Sequence, residues 1–158
     1  MLITRAEETD IEEILQLQRK AFMVEAAIYN DYTIQPLRQT IDELKSEYET
    51  QTLLKAIAEG DVIAGSVRAF VSGDTCYIGR LIVHPDFQNR GIGTRLLREV
   101  EQVFKECRRY ELFTGHKSKK NLYLYGKNGY QGFKSQVINE KLTMMYLEKM
   151  NDSRKIVF

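Results

Sequence analysis

The sequence predicts a mixed α/β domain whose sheet is mostly antiparallel with one parallel strand pair. Three observations predict it. Strand-like and helix-like runs follow in the order strand, two helices, three strands, helix, strand, helix, two strands. The three middle strands are joined by tight turns and so form an antiparallel meander. A helix then separates the last of them from the next strand, and such a crossover makes a parallel pair. With 158 residues, 43% of them hydrophobic, the chain suffices for one domain with its own core. That domain is expected over residues 1–150, with a tail over 151–158.

Leu2 to Arg5 reads as an opening strand. Thr9-Asp-Ile-Glu12 has the spacing of a capping box, and Ile11, Ile14, Leu15, Gln18 and Phe22 follow at near-helical intervals, predicting a helix to about Val24. Glu25 to Pro36 breaks that pattern and reads as irregular. Thr40-Ile-Asp-Glu43 is a second capping box, opening a helix that turns Ile41, Leu44 and Tyr48 inward. Leu53–Glu59, Val62–Val71 and Cys76–His84 alternate as strands do, punctuated by Gly60-Asp61 and Ser72-Gly-Asp-Thr75. Past Pro85, a glycine-bearing loop enters a helix with Leu96, Leu97, Val100, Val103, Phe104 and Cys107 on one face. Tyr110–Thr114 is the next strand, Asn121–Lys127 a short helix stopped by Asn128-Gly129, and Phe133–Ile138 with Leu142–Glu148 a closing antiparallel pair.

Composition excludes several classes. Twenty-three basic against 22 acidic side chains leave a net charge of +1, too even for a nucleic-acid or membrane-surface binder. No apolar run approaches the ~18 residues of a membrane span. Met1-Leu-Ile-Thr-Arg lacks the layout of a secretory signal, so a cytoplasmic protein is expected. Cys76 and Cys107 are isolated and read as reduced, buried small hydrophobes, and neither they nor His84 and His116 have metal-ligand spacing.

The informative segment is Leu81-Ile-Val-His-Pro-Asp-Phe-Gln-Asn-Arg-Gly-Ile-Gly-Thr94, in which Gln88-x-x-Gly91-x-Gly93 stands between a strand and an amphipathic helix. First-turn amides and the positive helix end make an anion site suited to a pyrophosphate. It is not a P-loop, because Gly93 is followed by Thr94-Arg95 rather than Lys and a hydroxyl residue. Nor is it a dinucleotide fingerprint, because Leu96 occupies the place of the third glycine. Val83-x-Pro85, Gln88-x-x-Gly91-x-Gly93 and Leu96-Leu97 resemble the acetyl-CoA-binding motif of the GNAT superfamily of N-acetyltransferases. Leu124-Tyr125-Gly-Lys-Asn-Gly129-Tyr130 is similar to a second element of that superfamily, and the strand order fits from Leu2 to about Met150.

The resemblance implies a sheet with helices on both faces and a V-shaped splay at the parallel pair. It implies transfer of an acetyl group from acetyl-CoA, with no metal, to a primary amine of a small molecule or peptide by direct attack. A CoA-binding sensor that has lost the chemistry is the alternative. The amides of Gln88, Asn89, Arg90, Gly91, Ile92, Gly93 and Thr94 would hold the pyrophosphate. The backbone of Leu81, Ile82 and Val83 would pair with the pantetheine arm, and an amide near Leu81 or Ile82 would face the thioester oxygen. Gly79 is the residue compatible with the bulge that splays the strands. Tyr125 aligns with the tyrosine assigned as general acid. The family's asparagine falls on Ser118, with Asn121 three residues later; either reaches pantetheine or caps the short helix. Lys117, Lys119 and Lys120 meet the nucleotide or form a solvated loop. Glu25 is the favoured base, His116 an outside candidate for proton relay, and Tyr29, Asp31, Tyr32 and Leu37 line the acceptor side or simply pack. A homodimer through C-terminal edge strands is a further expectation.

Overall fold

The computed structural model describes residues 1–151. Its elements are β1 (Leu2–Arg5), α1 (Ile11–Tyr29), α2 (Gln35–Arg38), α3 (Ile41–Thr50), β2 (Thr52–Ile57), β3 (Ile63–Ser72), β4 (Thr75–Val83), α4 (Ile92–Val103), β5 (Arg109–Gly115), α5 (Lys119–Lys127), β6 (Gln131–Val137) and β7 (Thr143–Met150). One seven-stranded sheet runs in the order β1-β2-β3-β4-β5-β7-β6, and every pairing is antiparallel except β4 with β5. Among the described residues no helix is long and apolar enough to cross a membrane.

Alternation along the strands divides the core in two. On one face Leu53, Ile63 and Ile82 meet Ile11, Ile14, Leu15 and Leu17 of α1 and Leu44 of α3. On the other, Leu54, Val67, Ile78 and Leu112 pack under Ile92, Leu96, Leu97 and Val100 of α4 and Tyr125 of α5. Cys76 and Cys107 are both buried. Burial pushes the Cys76 thiol up to about 12, so it stays protonated and unreactive.

The second capping box forms as expected: the Glu43 amide donates to Thr40 Oγ1 at 3.2 Å, and the Thr40 amide to Glu43 Oε1 at 2.9 Å. The first does not. A 3-10 turn at Glu8–Asp10 precedes α1, and the Glu7 amide donates to Asp10 Oδ2 at 2.7 Å instead. The helix that follows overruns its expected end by more than a turn. Glu25, Ala26, Ala27 and Ile28 include no breaker, and the stop is Asn30, left-handed at φ 49°. The segment expected to be irregular is therefore helical up to Tyr29, and Gln35–Arg38 adds a further turn. On the opposite face of the sheet, α4 stops at Val103, so Cys107 reaches the core from the following loop. Of the tail expected from residue 151, Asn151 is held in place. Its side-chain amide donates to Lys105 O and Cys107 O, both at 2.7 Å. Residues 152–158 lie outside the described residues.

Packing under α4 is the main support of the loop at its N-terminus. Leu97→Ala should therefore lower unfolding stability by about 2–5 kcal/mol, whereas Thr40→Ala should cost only about 1 kcal/mol. Urea unfolding followed by circular dichroism checks both values and their order.

Candidate active site

β4 and β5 pair over three residues, Thr75–Tyr77 with Arg109–Glu111, and then part. Past that point β4 keeps its partner β3 on one side only. The β3 register shows why: Arg68 faces Gly79 and Ser66 faces Ile82, so two β4 residues, Arg80 and Leu81, stand opposite Val67. This is a bulge, which bends its strand away from the neighbour. The expectation that Gly79 supplies it needs one correction, since the left-handed residue is Arg80, at φ 49°. Among the described residues, from Ile78 to Val83 the edge of β4 that faces β5 has no ladder partners. Leu81 and Val83 turn their side chains into the α4 core and Ile82 into the α1 core.

The loop after β4 is shaped by local bonds. His84 Nδ1 accepts the Asp86 amide at 3.0 Å, and Gln88 Nε2 donates to Val83 O at 3.0 Å, folding the loop back on the strand end. Asn89 and Gly91 have φ of 62° and 76°, and Gly91 is the N-cap of α4, where only glycine adopts the left-handed backbone without penalty. Among the described residues no side chain caps this helix, and the amides of Ile92, Gly93 and Thr94 lack acceptors within it. The Ile92 side chain itself belongs to the core, and Gly93 is buried against Leu124 of α5. Arg90 lies over the Phe87 ring at 5.2 Å, and Thr94 Oγ1 accepts Asn128 Nδ2 at 3.4 Å. Open strand edge and uncapped helix end together fit a long ligand with an amide-rich arm and a diphosphate.

Across the splay, the extended α1 places Glu25 against the end of β5 and the start of α5. Ser118 Oγ donates to Glu25 Oε2 at 2.9 Å, and Asn121 Nδ2 donates to Glu25 Oε1 at 2.8 Å and to Thr114 Oγ1 at 3.2 Å. The Lys117 amide donates to Tyr29 Oη at 3.0 Å, and Tyr29 Oη lies 2.8 Å from Ser118 Oγ. Since Ser118 gives its proton to Glu25, the Tyr29 hydroxyl must donate to Ser118. The result is one directed chain ending on the carboxylate. Neither Ser118 nor Asn121 caps α5; both serve Glu25. Gly115 makes room for this chain, because a Cβ there would come within 2.0 Å of Tyr29 Oη.

Tyr125 follows Asn121 by one turn of α5, on the same face, and is 5% exposed. Its hydroxyl makes no hydrogen bond among the described residues. Burial first, and the negative charge of Glu25 second, raise its pKa above that of an ordinary phenol, so it remains a neutral O–H donor at physiological pH.

The side chains of the other expected residues make no bond to Glu25 among the described residues, although the His116 ring lies 5.9 Å from that of Tyr29. Thr143 donates its amide to His116 Nδ1 at 3.0 Å, which ties that ring to the start of β7. Asp31 accepts from the Thr33 hydroxyl at 2.6 Å and the Thr33 amide at 2.9 Å, which lower its pKa and occupy it locally. Tyr32, Lys117, Lys119 and Lys120 are exposed, while Pro36 packs beneath α1 and accepts Gln18 Nε2 at 3.0 Å. Sequence reasoning missed Thr114, Arg68 and Arg80. The signal for Arg68 was a lone charge inside an otherwise apolar strand run.

Residues 11–130 match the sequence model of the Acetyltransferase (GNAT) family. The chain belongs to this family. Among its relatives, the uncharacterized protein YdhI of Bacillus subtilis (strain 168) is 33% identical over 78 residues, a match spanning 48% of either chain. The L-amino acid N-acyltransferase MnaT of Escherichia coli (strain K12) is 25% identical over 134 residues, covering 79% of this chain and 75% of MnaT. The fold is that of other GNAT proteins. The PaiA N-acetyltransferase of Thermoplasma acidophilum, solved with coenzyme A, superposes with a TM-score of 0.76 at 19% identity, over 95% of this chain and 99% of that one.

Gly115→Ala should lower stability by roughly 1–3 kcal/mol by overpacking against Tyr29. Combined with Tyr29→Phe, which removes the nearest obstacle, the loss should fall short of the sum of the two single losses. Denaturant midpoints of the three variants read that coupling.

Proposed function

We propose that this GNAT protein transfers the acetyl group of acetyl-CoA to a primary amine of a small molecule or peptide, by direct attack with both substrates bound. The reading is carried by one observation. A carboxylate with an ordered donor chain, Glu25, and an unpartnered neutral phenol, Tyr125, are held on two helices beside a strand edge with open amides. Acetyl-CoA, when bound, supplies an acetyl thioester with an electrophilic carbonyl carbon and a thiolate leaving group.

The chain's residues then divide the work. The amides of Gln88 through Thr94 grip the diphosphate at the positive end of α4. The open edge of Leu81, Ile82 and Val83 pairs with the pantetheine arm as a neighbouring strand would, and a Leu81 or Ile82 amide donates to the carbonyl oxygen as negative charge builds on it. A primary amine with a pKa near ~10.4 is mostly ammonium at neutral pH. Glu25 takes its proton, directly or through one water, while Ser118, Asn121 and Tyr29 fix the carboxylate in place. Tyr125 protonates the departing sulfur. Its pKa lies above the thiol reference of ~8.5, so it gives up a proton only as a strongly basic thiolate forms beside it.

Thiol release across a panel of amines tests this. Tyr125→Phe should lower kcat by about 10²-fold or more with the acetyl-CoA KM little changed. Glu25→Gln should lower kcat at neutral pH, and the deficit should shrink as the pH rises toward ~10, where the amine is already free base. Because the Tyr125 pKa is raised, the wild-type rate should not fall through the ordinary phenol range near ~10. Acetyl-CoA binding without thiol release from any amine would contradict the proposal and favour the sensor.

A further inference from the structure

The stripe Gln18, Phe22, Glu25 and Tyr29 runs along α1 at intervals of four, three and four residues, and so lies on one face of the helix. It crosses the splay. Glu25 and Tyr29 meet β5 and α5, whereas Gln18 and Phe22 meet two arginines, Arg68 of β3 and Arg80 of the β4 bulge.

Arg68 is 4% exposed and both its terminal nitrogens are bonded: Nη1 donates to Glu47 Oε2 and Gln39 Oε1, Nη2 to Gln18 Oε1. Gln18 in turn donates to Gln39 Oε1 at 2.9 Å and to Pro36 O at 3.0 Å, which fastens α2 to α1. Arg80 is different. Its Nη2 donates to the neutral Gln35, its guanidinium lies over Phe22 at 5.7 Å, and it has no carboxylate partner among the described residues. Its Nε is buried without an acceptor, as is Nε of Arg68, and its Nη1 makes no bond among the described residues. Glu47 pairs with Arg68, so of these two guanidiniums Arg80 is the one left with surplus charge. Burial and the nearby Arg68 pull the Arg80 pKa down to about 10, which still leaves it a cation at neutral pH. Buried charges in folded proteins are paired, and planar guanidinium forks match carboxylates. A ligand with an acidic group would supply the counter-ion that Arg80 lacks.

We propose that Arg80, backed by Arg68, binds a carboxylate carried by the amine acceptor, so that the substrate is a short zwitterion of the amino-acid kind. The proposal rests on the acetyl-transfer reading and narrows its acceptor. The spacing suits such a molecule. Phe22, under the Arg80 guanidinium, and Glu25, the proton acceptor, are three residues apart on α1, about 4.5 Å along its axis. Arg80 also directly precedes the stretch Leu81–Val83, where the β5-facing edge of β4 is open. Two groups less than one helical turn apart call for an amine and a carboxylate borne close together, as on one carbon; a long polyamine leaves Arg80 unpaired.

The test compares the common L-amino acids with their α-carboxamides in thiol release, for wild type and Arg80→Gln. A neighbouring carboxylate holds the amino acid's ammonium more firmly protonated, so an enzyme blind to the carboxylate favours the carboxamide. The proposal expects the reverse: wild type should prefer the acid by roughly 10–100-fold in kcat/KM. Arg80→Gln should collapse that ratio toward one, chiefly through the KM of the acid. Turnover confined to amines without an acidic group, or an acid preference that survives Arg80→Gln, would overturn the proposal and leave acetyl transfer intact. If no amine releases thiol, acetyl transfer fails first, and calorimetric titration of the same acids in the presence of coenzyme A still decides. Binding to wild type that is lost in Arg80→Gln supports the anion site; no binding to either protein overturns it.

Discussion

Two parallel strands that stay paired for three residues and then part set the terms for the rest of this molecule. A sheet interior normally leaves no backbone group unmatched, because an unpaired buried amide is costly. Here the Arg80–Leu81 bulge turns β4 away, and the stretch from Ile78 to Val83 keeps one edge open. The opening is tolerable only where a ligand or water can reach it. The two sides of the sheet are therefore served differently. On one, α4 and α5 pack a continuous apolar core that fixes the glycine loop and Tyr125. On the other, α1 lays a mixed stripe of polar and aromatic groups across the gap.

That stripe is where stability and function meet. The chain Lys117 to Tyr29 to Ser118 to Glu25, with Asn121 and Thr114 alongside, joins α1 to the end of β5 and the start of α5. Such a network specifies one geometry when every member is satisfied, and loses that advantage when one member is removed. It orients the carboxylate without neutralising it, since all its partners are neutral donors. The Tyr125 phenol, one turn along α5, is kept neutral by burial first and by the same carboxylate second. Acid and base roles are thus separated by environment on neighbouring turns of structure.

Much of this was legible in the sequence because it is local. Turn residues fixed the meander, the Thr40–Glu43 box its helix start, and the glycine loop its place before α4. Elements fixed by competition or by distant contacts were not legible. Glu7–Asp10 and Thr9–Glu12 are equally spaced, and the 3-10 turn before α1 selects the first pair. Aromatics after Glu25 suggested a break, yet helix-forming alanines carry α1 on to Asn30. This extension is what aligns Glu25 with Gln18 and Phe22. Gly79 was the natural choice for the bulge, but the left-handed residue is Arg80, whose side chain meets Gln35 and Phe22 from outside its own strand. The buried partners of Arg68 come from three elements remote in sequence, α1, α3 and the α2–α3 junction, and no spacing pattern announces them.

The most direct measurement is amide hydrogen exchange with and without acetyl-CoA. The open-edge account predicts slowed exchange in the peptides that carry Leu81–Val83 and Gly91–Thr94, with β1 and β2 unchanged. Saturating acetyl-CoA that leaves both segments exchanging as before would contradict it.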